Sequence, residues 1–376
     1  MSEHTQPAGA AAPADGAHLS LVDCDVHPEV PNAIGDVLPY MSLPWRQRFE
    51  LKGEVTLNGF INYRFTNVHV GHGLRPDAIP PNGGPPASDP QHLAKHHLDT
   101  QGVDVAILNN LQIMILATVQ AGPDESVALC QAYNDYFVEN WLPVDDRFRL
   151  GIVVSPHGPA KSASEIRRLG AHPGVVAVYL PQIWLGMGSR HFDPIYSAAT
   201  EHDLPVVIHP TTNEFSHQGT TVNPTGYPES YTESYANFPL VGWGHLSSLI
   251  FTGAFERFPE LRVAIVELGS MWAGPALWRL DKAWEGNRVE VPWVKRRPSE
   301  YAREHVRFGT QPLDEPSRRE DLYALVRILG HEKLIFCSDY PHWDGDDARL
   351  ILPGLDAELR ADILANNAAR FFRLSP

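Results

Sequence analysis

From about residue 19 the chain alternates short apolar runs with stretches in which apolar side chains recur every three to four positions. The runs Ser20–Asp25, Val103–Leu108, Leu150–Val154, Val175–Leu180, Pro205–His209, Val263–Glu267, Val306–Gly309 and Leu334–Asp339 are rich in Val, Ile and Leu. Such runs suit parallel strands buried on both faces, not the polar-apolar alternation of a half-solvated sheet. Helical periodicity predicts helices over Asp124–Trp141, Ala160–Leu169, Pro194–His202, Leu246–Phe258 and Arg318–Leu329. Eight strands interleaved with helices predict an α/β fold, the (β/α)8 TIM barrel. A doubly wound open sheet is the competing arrangement, but no Gly-rich phosphate loop follows the first strand.

Two long connections interrupt this rhythm. Residues 28–90 follow the first strand, and residues 210–240, rich in Thr, Tyr, Asn and Pro, follow the fifth. Both leave strand C-terminal ends, the face on which barrel enzymes carry their sites, so they are expected to be long loops walling a pocket. Residues 1–18 are biased to Ala, Pro and Gly and read as a disordered tail without the basic and apolar regions of a signal peptide. The remainder, 19–376, reads as one catalytic domain.

Charge then narrows the partners. The formal net charge of −15 repels phosphate backbones and anionic lipid, which argues against nucleic acid and membrane. No stretch reaches the roughly 18 apolar residues of a membrane helix. The 3 cysteines, Cys24, Cys130 and Cys337, are far apart, as in a reducing, cytoplasmic compartment.

The 18 histidines and 45 carboxylates matter only where they converge. In Val22-Asp23-Cys24-Asp25-Val26-His27, alternation along a strand puts Asp23, Asp25 and His27 on one face. Acids and imidazole ending a buried strand are costly unless paired or coordinated, so a metal answers that cost; a solvated turn is the plainer alternative. His209 ends a second strand, where alone it would read as an ordinary satisfied histidine. Asp339 ends a third, where an aspartate could simply cap a helix. Three such ends in one barrel make a common site the better explanation.

These elements resemble the amidohydrolase superfamily in its amidohydrolase-2 branch, which includes aminocarboxymuconate semialdehyde decarboxylase-like enzymes. The resemblance runs through most of residues 20–374. It takes in Leu249–Pro259, Ser338-Asp339-Tyr340-Pro341-His342 and Asn366-Asn367-Ala368-Ala369-Arg370. It implies a divalent metal at the barrel mouth, held by Asp25, His27, His209 and Asp339, with Asp339 also acting as a base in hydrolytic members. Two positions depart from the pattern. Glu267 stands where decarboxylating members carry a histidine, and no lysine ends the fourth strand, Val178-Tyr179-Leu180-Pro181-Gln182.

The resulting donor set is Asp25, His27, His209, Glu267 and Asp339, with His245 and His342 near in sequence. That exceeds what one ion usually takes, so one or two ions of Zn, Mn or Fe are expected. His245 is either a ligand or acid–base group or a packed helix-face histidine; His342 is a ligand or a support for the Asp339 loop. Trp184, Tyr231, Tyr235, Trp243, Trp272, Tyr340 and Trp343 suggest a roomy pocket for a bulky or ring-bearing small organic substrate. Lys295-Arg296-Arg297 reads as solvated surface. The leading expectation is a metal-dependent hydrolase in which Asp339, Glu267 and His245 move protons. The alternatives are a non-haem diiron monooxygenase hydroxylating a bulky substrate, CoA-linked ones included, and a metal-dependent non-oxidative decarboxylase. The resemblance also suggests a homodimer or larger assembly.

Overall fold

Val22–Val26, Val105–Leu108, Phe148–Val153, Val175–Pro181, Val206–His209, Val263–Ile265, Val306–Gly309 and Leu334–Ile335 form strands β1 to β8. The computed structural model describes residues 19–52, 73–119, 122–211 and 230–375. All of the strand residues are buried except Arg149 and Arg307, which are half-buried. The strands pair in chain order, each parallel to the next. The chain continues past β8 beside β1, with Cys24 N–H donating to Phe336 O at 3.0 Å and Asp339 N–H to Asp25 O at 3.1 Å. His27 N–H donates to Tyr340 O at 2.7 Å. The sheet thus closes, and the eighth run keeps its place up to Tyr340 although regular pairing ends at Ile335. This is the expected (β/α)8 barrel, and closure removes the sheet edges.

Helices Pro123–Asn140, Pro159–Leu169, Asp193–Glu201 and Arg319–Leu329 lie within a residue of their predicted limits. The predicted helix Leu246–Phe258 is different. The helix runs Phe238–Phe251, breaks at Gly253 with φ 76°, and resumes as Ala254–Arg257. A left-handed glycine ends the first segment, and the all-round apolar character of the helix hid its true start.

The connection after β1 is not the long loop its composition suggested. It carries helices Ala33–Val37 and Leu43–Lys52 and a helical segment from Pro90 to Gln101. The connection after β5 likewise ends in helix Tyr231–Ala236. The expected tail 1–18 and the parts 53–72 and 212–229 of these connections lie outside the described residues. No described helix is long and apolar enough to cross a membrane.

Candidate metal centre

β1 carries two candidate ligands, Asp25 within the strand and His27 just past its end. Its pairing with β2 shifts register between Asp23 and Val26, and such irregularities re-aim side chains beside active sites. Asp23 therefore does not share a site with Asp25 and His27, contrary to the expectation from alternation. Its Oδ2 lies 2.7 Å from His97 Nε2, and its Oδ1 accepts from Ser338 N–H at 2.9 Å. His97 also stacks on Tyr340, centroids 4.3 Å apart. This buried pair ties the helical segment before β2 to the loop that carries Asp339.

Asp25, His27, His209, Glu267, Asp339 and His342 do converge. Asp25, His27, His209 and Glu267 offer donor atoms all within 4.8 Å of one another, and so do His27, Glu267, Asp339 and His342. His27 Nε2 lies 3.1 Å from Asp339 Oδ1 and 3.5 Å from Asp25 Oδ1. His209 Nε2 lies 2.8 Å from Glu267 Oε2 and 3.5 Å from Asp25 Oδ2. His342 Nδ1 makes a short contact with Asp339 Oδ1. Glu267 and Asp339 both hold left-handed backbone, φ 55° and 58°. For a non-glycine residue this costs on the order of 1 kcal/mol and concentrates at functional sites.

The donor set fits a divalent cation. Asp25 Oδ2, His27 Nδ1 and Nε2, His209 Nε2 and Glu267 Oε2 are buried and make no hydrogen bond among the described residues. His209 and Glu267 approach closely without hydrogen-bond alignment, which suits two donors facing a common ion. His209 Nδ1 lies 2.6 Å from Pro210 O; donating its proton there leaves the Nε2 lone pair for the site. Nitrogen and oxygen donors without thiolate suit first-row divalent metals.

The charges also call for a cation. Burial opposes ionisation of Asp25, yet His27 and His209 hold its carboxyl well below the usual carboxylate range. Burial opposes the charge on His209, but Asp25 and Glu267 outweigh it and push the imidazole up to about 10. Glu267 is raised, by burial and then by Asp339. Without an ion only protonated imidazoles offset the three buried carboxylates, and a bound cation would take over that role and free their nitrogens as donors.

His245 does not join this group. It is buried in helix Phe238–Phe251, where its Nδ1 accepts from Met187 N–H at 3.3 Å and its Nε2 lies 3.2 Å from Gln182 Oε1. Burial lowers it to about 4, so it is neutral. Its place corresponds to the packed helix-face alternative, because both ring nitrogens are engaged with β4's continuation.

Other contributors escaped sequence reasoning. Asn109, just past β2, donates to Asp25 Oδ1 at 2.6 Å and to Tyr179 Oη at 3.2 Å. Gln311, two residues past β7, donates from Nε2 to Asp339 Oδ2 at 2.9 Å and Asp344 Oδ2 at 3.0 Å. Tyr235 Oη also donates to Asp344 Oδ2, at 2.6 Å. Polar residues after every apolar strand, not only the histidines and acids, were the available signal. Tyr235 packs with Tyr231, Phe238 and Trp343, centroids 5.5 to 5.9 Å apart, and forms an aromatic wall beside Asp344. Tyr340 instead stacks on His97, Trp243 stacks on Trp272, and Trp184 is exposed.

Residues 22–374 match the amidohydrolase family. A decarboxylase from Emericella nidulans is 28% identical over 264 residues, 62% of this chain and 70% of its own. A 2-amino-3-carboxymuconate-6-semialdehyde decarboxylase from Dictyostelium discoideum is 23% identical, covering 74% of this chain and 75% of its own. In fold, the chain is similar to 5-carboxyvanillate decarboxylase from Novosphingobium aromaticivorans, solved with manganese and 4-hydroxy-3-methoxy-5-nitrobenzoic acid. That comparison has TM-score 0.68 and 20% identity over 95% of this chain and 96% of the other.

Proposed function

The chain belongs to the amidohydrolase family, and from that premise we propose that it is a metal-dependent, non-oxidative decarboxylase of an aromatic or unsaturated carboxylic acid. The observation that carries this reading over the hydrolase expected first is the pairing of decarboxylase relatives with a protonatable acid beside the metal centre. That acid is Asp344. Burial, then the charges of Asp339 and Glu267, raise it to about 7, so near neutral pH a large share of it carries a proton.

Asp25, His27, His209, Glu267 and Asp339 would hold the ion, with His342 beside them. A bound divalent metal supplies positive charge that orients an anionic substrate and stabilises charge developing on its oxygens. The aromatic wall of Tyr231, Tyr235, Phe238 and Trp343 supports a planar substrate and excludes water from it. Asp344 gives its proton to the carbon bearing the carboxylate. A C–H bond forms there, the bond to the carboxyl carbon breaks, its electron pair returns to the ring or chain, and carbon dioxide leaves. Tyr235 and Gln311 hold Asp344 in place, and solvent restores the proton. Glu267 in the place of a histidine is consistent with this division, since the acid needed for carbon protonation lies on the Asp344 loop.

The test is an assay of the manganese-loaded protein against hydroxybenzoic and unsaturated acids, following carbon dioxide and oxygen together. Release of carbon dioxide without oxygen uptake is expected. Ester, lactone or amide cleavage without carbon dioxide release would return the hydrolase, and stoichiometric oxygen uptake would point to the monooxygenase.

A further inference from the structure

We propose that Asn109 and Gln311 select the substrate, each through an amide carbonyl oxygen that accepts a hydrogen bond from an O–H or N–H group the substrate carries. The proposal rests on the decarboxylase reading for the substrate's carboxylate and goes beyond it in naming a second feature that the pocket recognises. Both side chains are fully buried. Asn109 stands just past β2 and Gln311 two residues past β7. They therefore end the strands on either side of β8 and β1, whose ends carry Asp339, Asp25 and His27.

Each amide commits its amino group to a carboxylate of the cluster. Asn109 Nδ2 donates to Asp25 Oδ1 at 2.6 Å and to Tyr179 Oη at 3.2 Å. Gln311 Nε2 donates to Asp339 Oδ2 at 2.9 Å and to Asp344 Oδ2 at 3.0 Å. These bonds fix which way each amide faces. A flipped amide would set its oxygen against a carboxylate oxygen, two acceptors without a proton between them. At Asn109 the flip finds no help from Tyr179, whose hydroxyl proton goes to Cys24 O at 3.0 Å.

The carbonyl oxygens are then left over. Asn109 Oδ1 and Gln311 Oε1 are buried and accept no hydrogen bond among the described residues. Buried polar atoms are ordinarily paired, so an unpaired one marks a place for a partner from outside the chain. The oxygen and nitrogen of one amide share a carbon, so each unpaired acceptor sits beside the carboxylate that its own nitrogen holds. A carbonyl oxygen offers lone pairs and no proton. The group it recognises is therefore a donor, a hydroxyl or an amino group, and not an ether or a second carboxylate. The competing role for both residues is support of Asp25 and Asp339 alone, with water on the carbonyls.

The experiment is calorimetric titration of the full chain, saturated with manganese, with benzoate, 2-, 3- and 4-hydroxybenzoate and their methoxy counterparts, alongside carbon dioxide release. The wild type is expected to bind at least one hydroxybenzoate about ten- to a hundredfold more tightly than benzoate and than its methoxy counterpart, the usual effect of stranding a buried acceptor. Asn109→Leu and Gln311→Met keep the size of the side chain and remove the carbonyl. At least one of them is expected to bring that ratio to near one, whereas loss of mere support for a carboxylate would weaken all the acids alike. A wild type without the preference overturns the proposal even if a variant fails to fold. A preference that survives in both variants assigns the hydroxyl to other groups and overturns it too. Preferential binding without carbon dioxide release would keep the two acceptors and remove the decarboxylase; carbon dioxide release without the preference would do the reverse.

Discussion

At the residue scale the molecule separates candidate ligands from the groups that aim them. Asn109 donates to Asp25, Gln311 to Asp339 and Asp344, and Asp23 engages His97 and Ser338 beneath the Asp339 loop. Such partners fix ligand orientation, and losing one commonly costs ten- to a hundredfold in affinity or activity. Asp344 makes the sharpest residue-scale prediction. Its carboxyl is raised from 3.8 to about 7, so the proposed proton donor is present below that pH and lost as pH rises through it. Decarboxylation measured as kcat/KM should therefore fall above about pH 7. Asp344→Asn should lower kcat by roughly a hundredfold or more and remove that limb from the residual rate. A variant with the wild-type rate and pH profile would take proton delivery away from Asp344.

At the element scale the barrel supplies rigid ends and the irregularities supply direction. The register shift in β1 separates Asp23 from Asp25. The left-handed backbone at Glu267 and Asp339 turns two acids inward where β6 and the continuation of β8 end. Close packing between β3 and β4 supports the arrangement: Tyr179 from β4 lies across Gly151 of β3 and reaches Cys24 O with its hydroxyl at 3.0 Å. A Cβ on Gly151 would stand 2.2 Å from the Tyr179 ring. Gly151→Ala should therefore destabilise the fold by about 1–3 kcal/mol through overpacking. By displacing Tyr179 it should also loosen Asn109 and weaken manganese binding. Urea unfolding and a manganese titration check the two effects, and an unchanged midpoint with unchanged affinity would show that the barrel interior yields there.

At the scale of the whole molecule, the barrel gathers three carboxylates into one buried pocket, and an ion is what makes that gathering favourable. Binding to the folded state alone adds stability by mass action, about 2.7 kcal/mol when the free metal is a hundred times its dissociation constant. Manganese should raise the Tm by several degrees, and a chelator should reverse the change. Scanning calorimetry with and without metal tests this, and a Tm indifferent to manganese, zinc and iron would mean that the pocket holds none of them.

The barrel and most of the strand-end side chains that converge in it were legible in the sequence, for one physical reason. Strands buried on both faces are chemically monotonous, so Asp25, His27, His209, Glu267 and Asp339 stand out at their ends. Helix limits were legible where one face is polar, and lost in Phe238–Phe251, which is apolar all round. What only the tertiary structure decided is direction and partnership. Alternation alone could not show that β1 slips register and sends Asp23 to His97. Nor could spacing show that His245 turns to Met187 and Gln182 while His342 joins the cluster. Closing the barrel brings together groups as distant as Asp23 and Ser338, 315 positions apart. Such contacts follow from the closed sheet, which no local pattern of residues encodes.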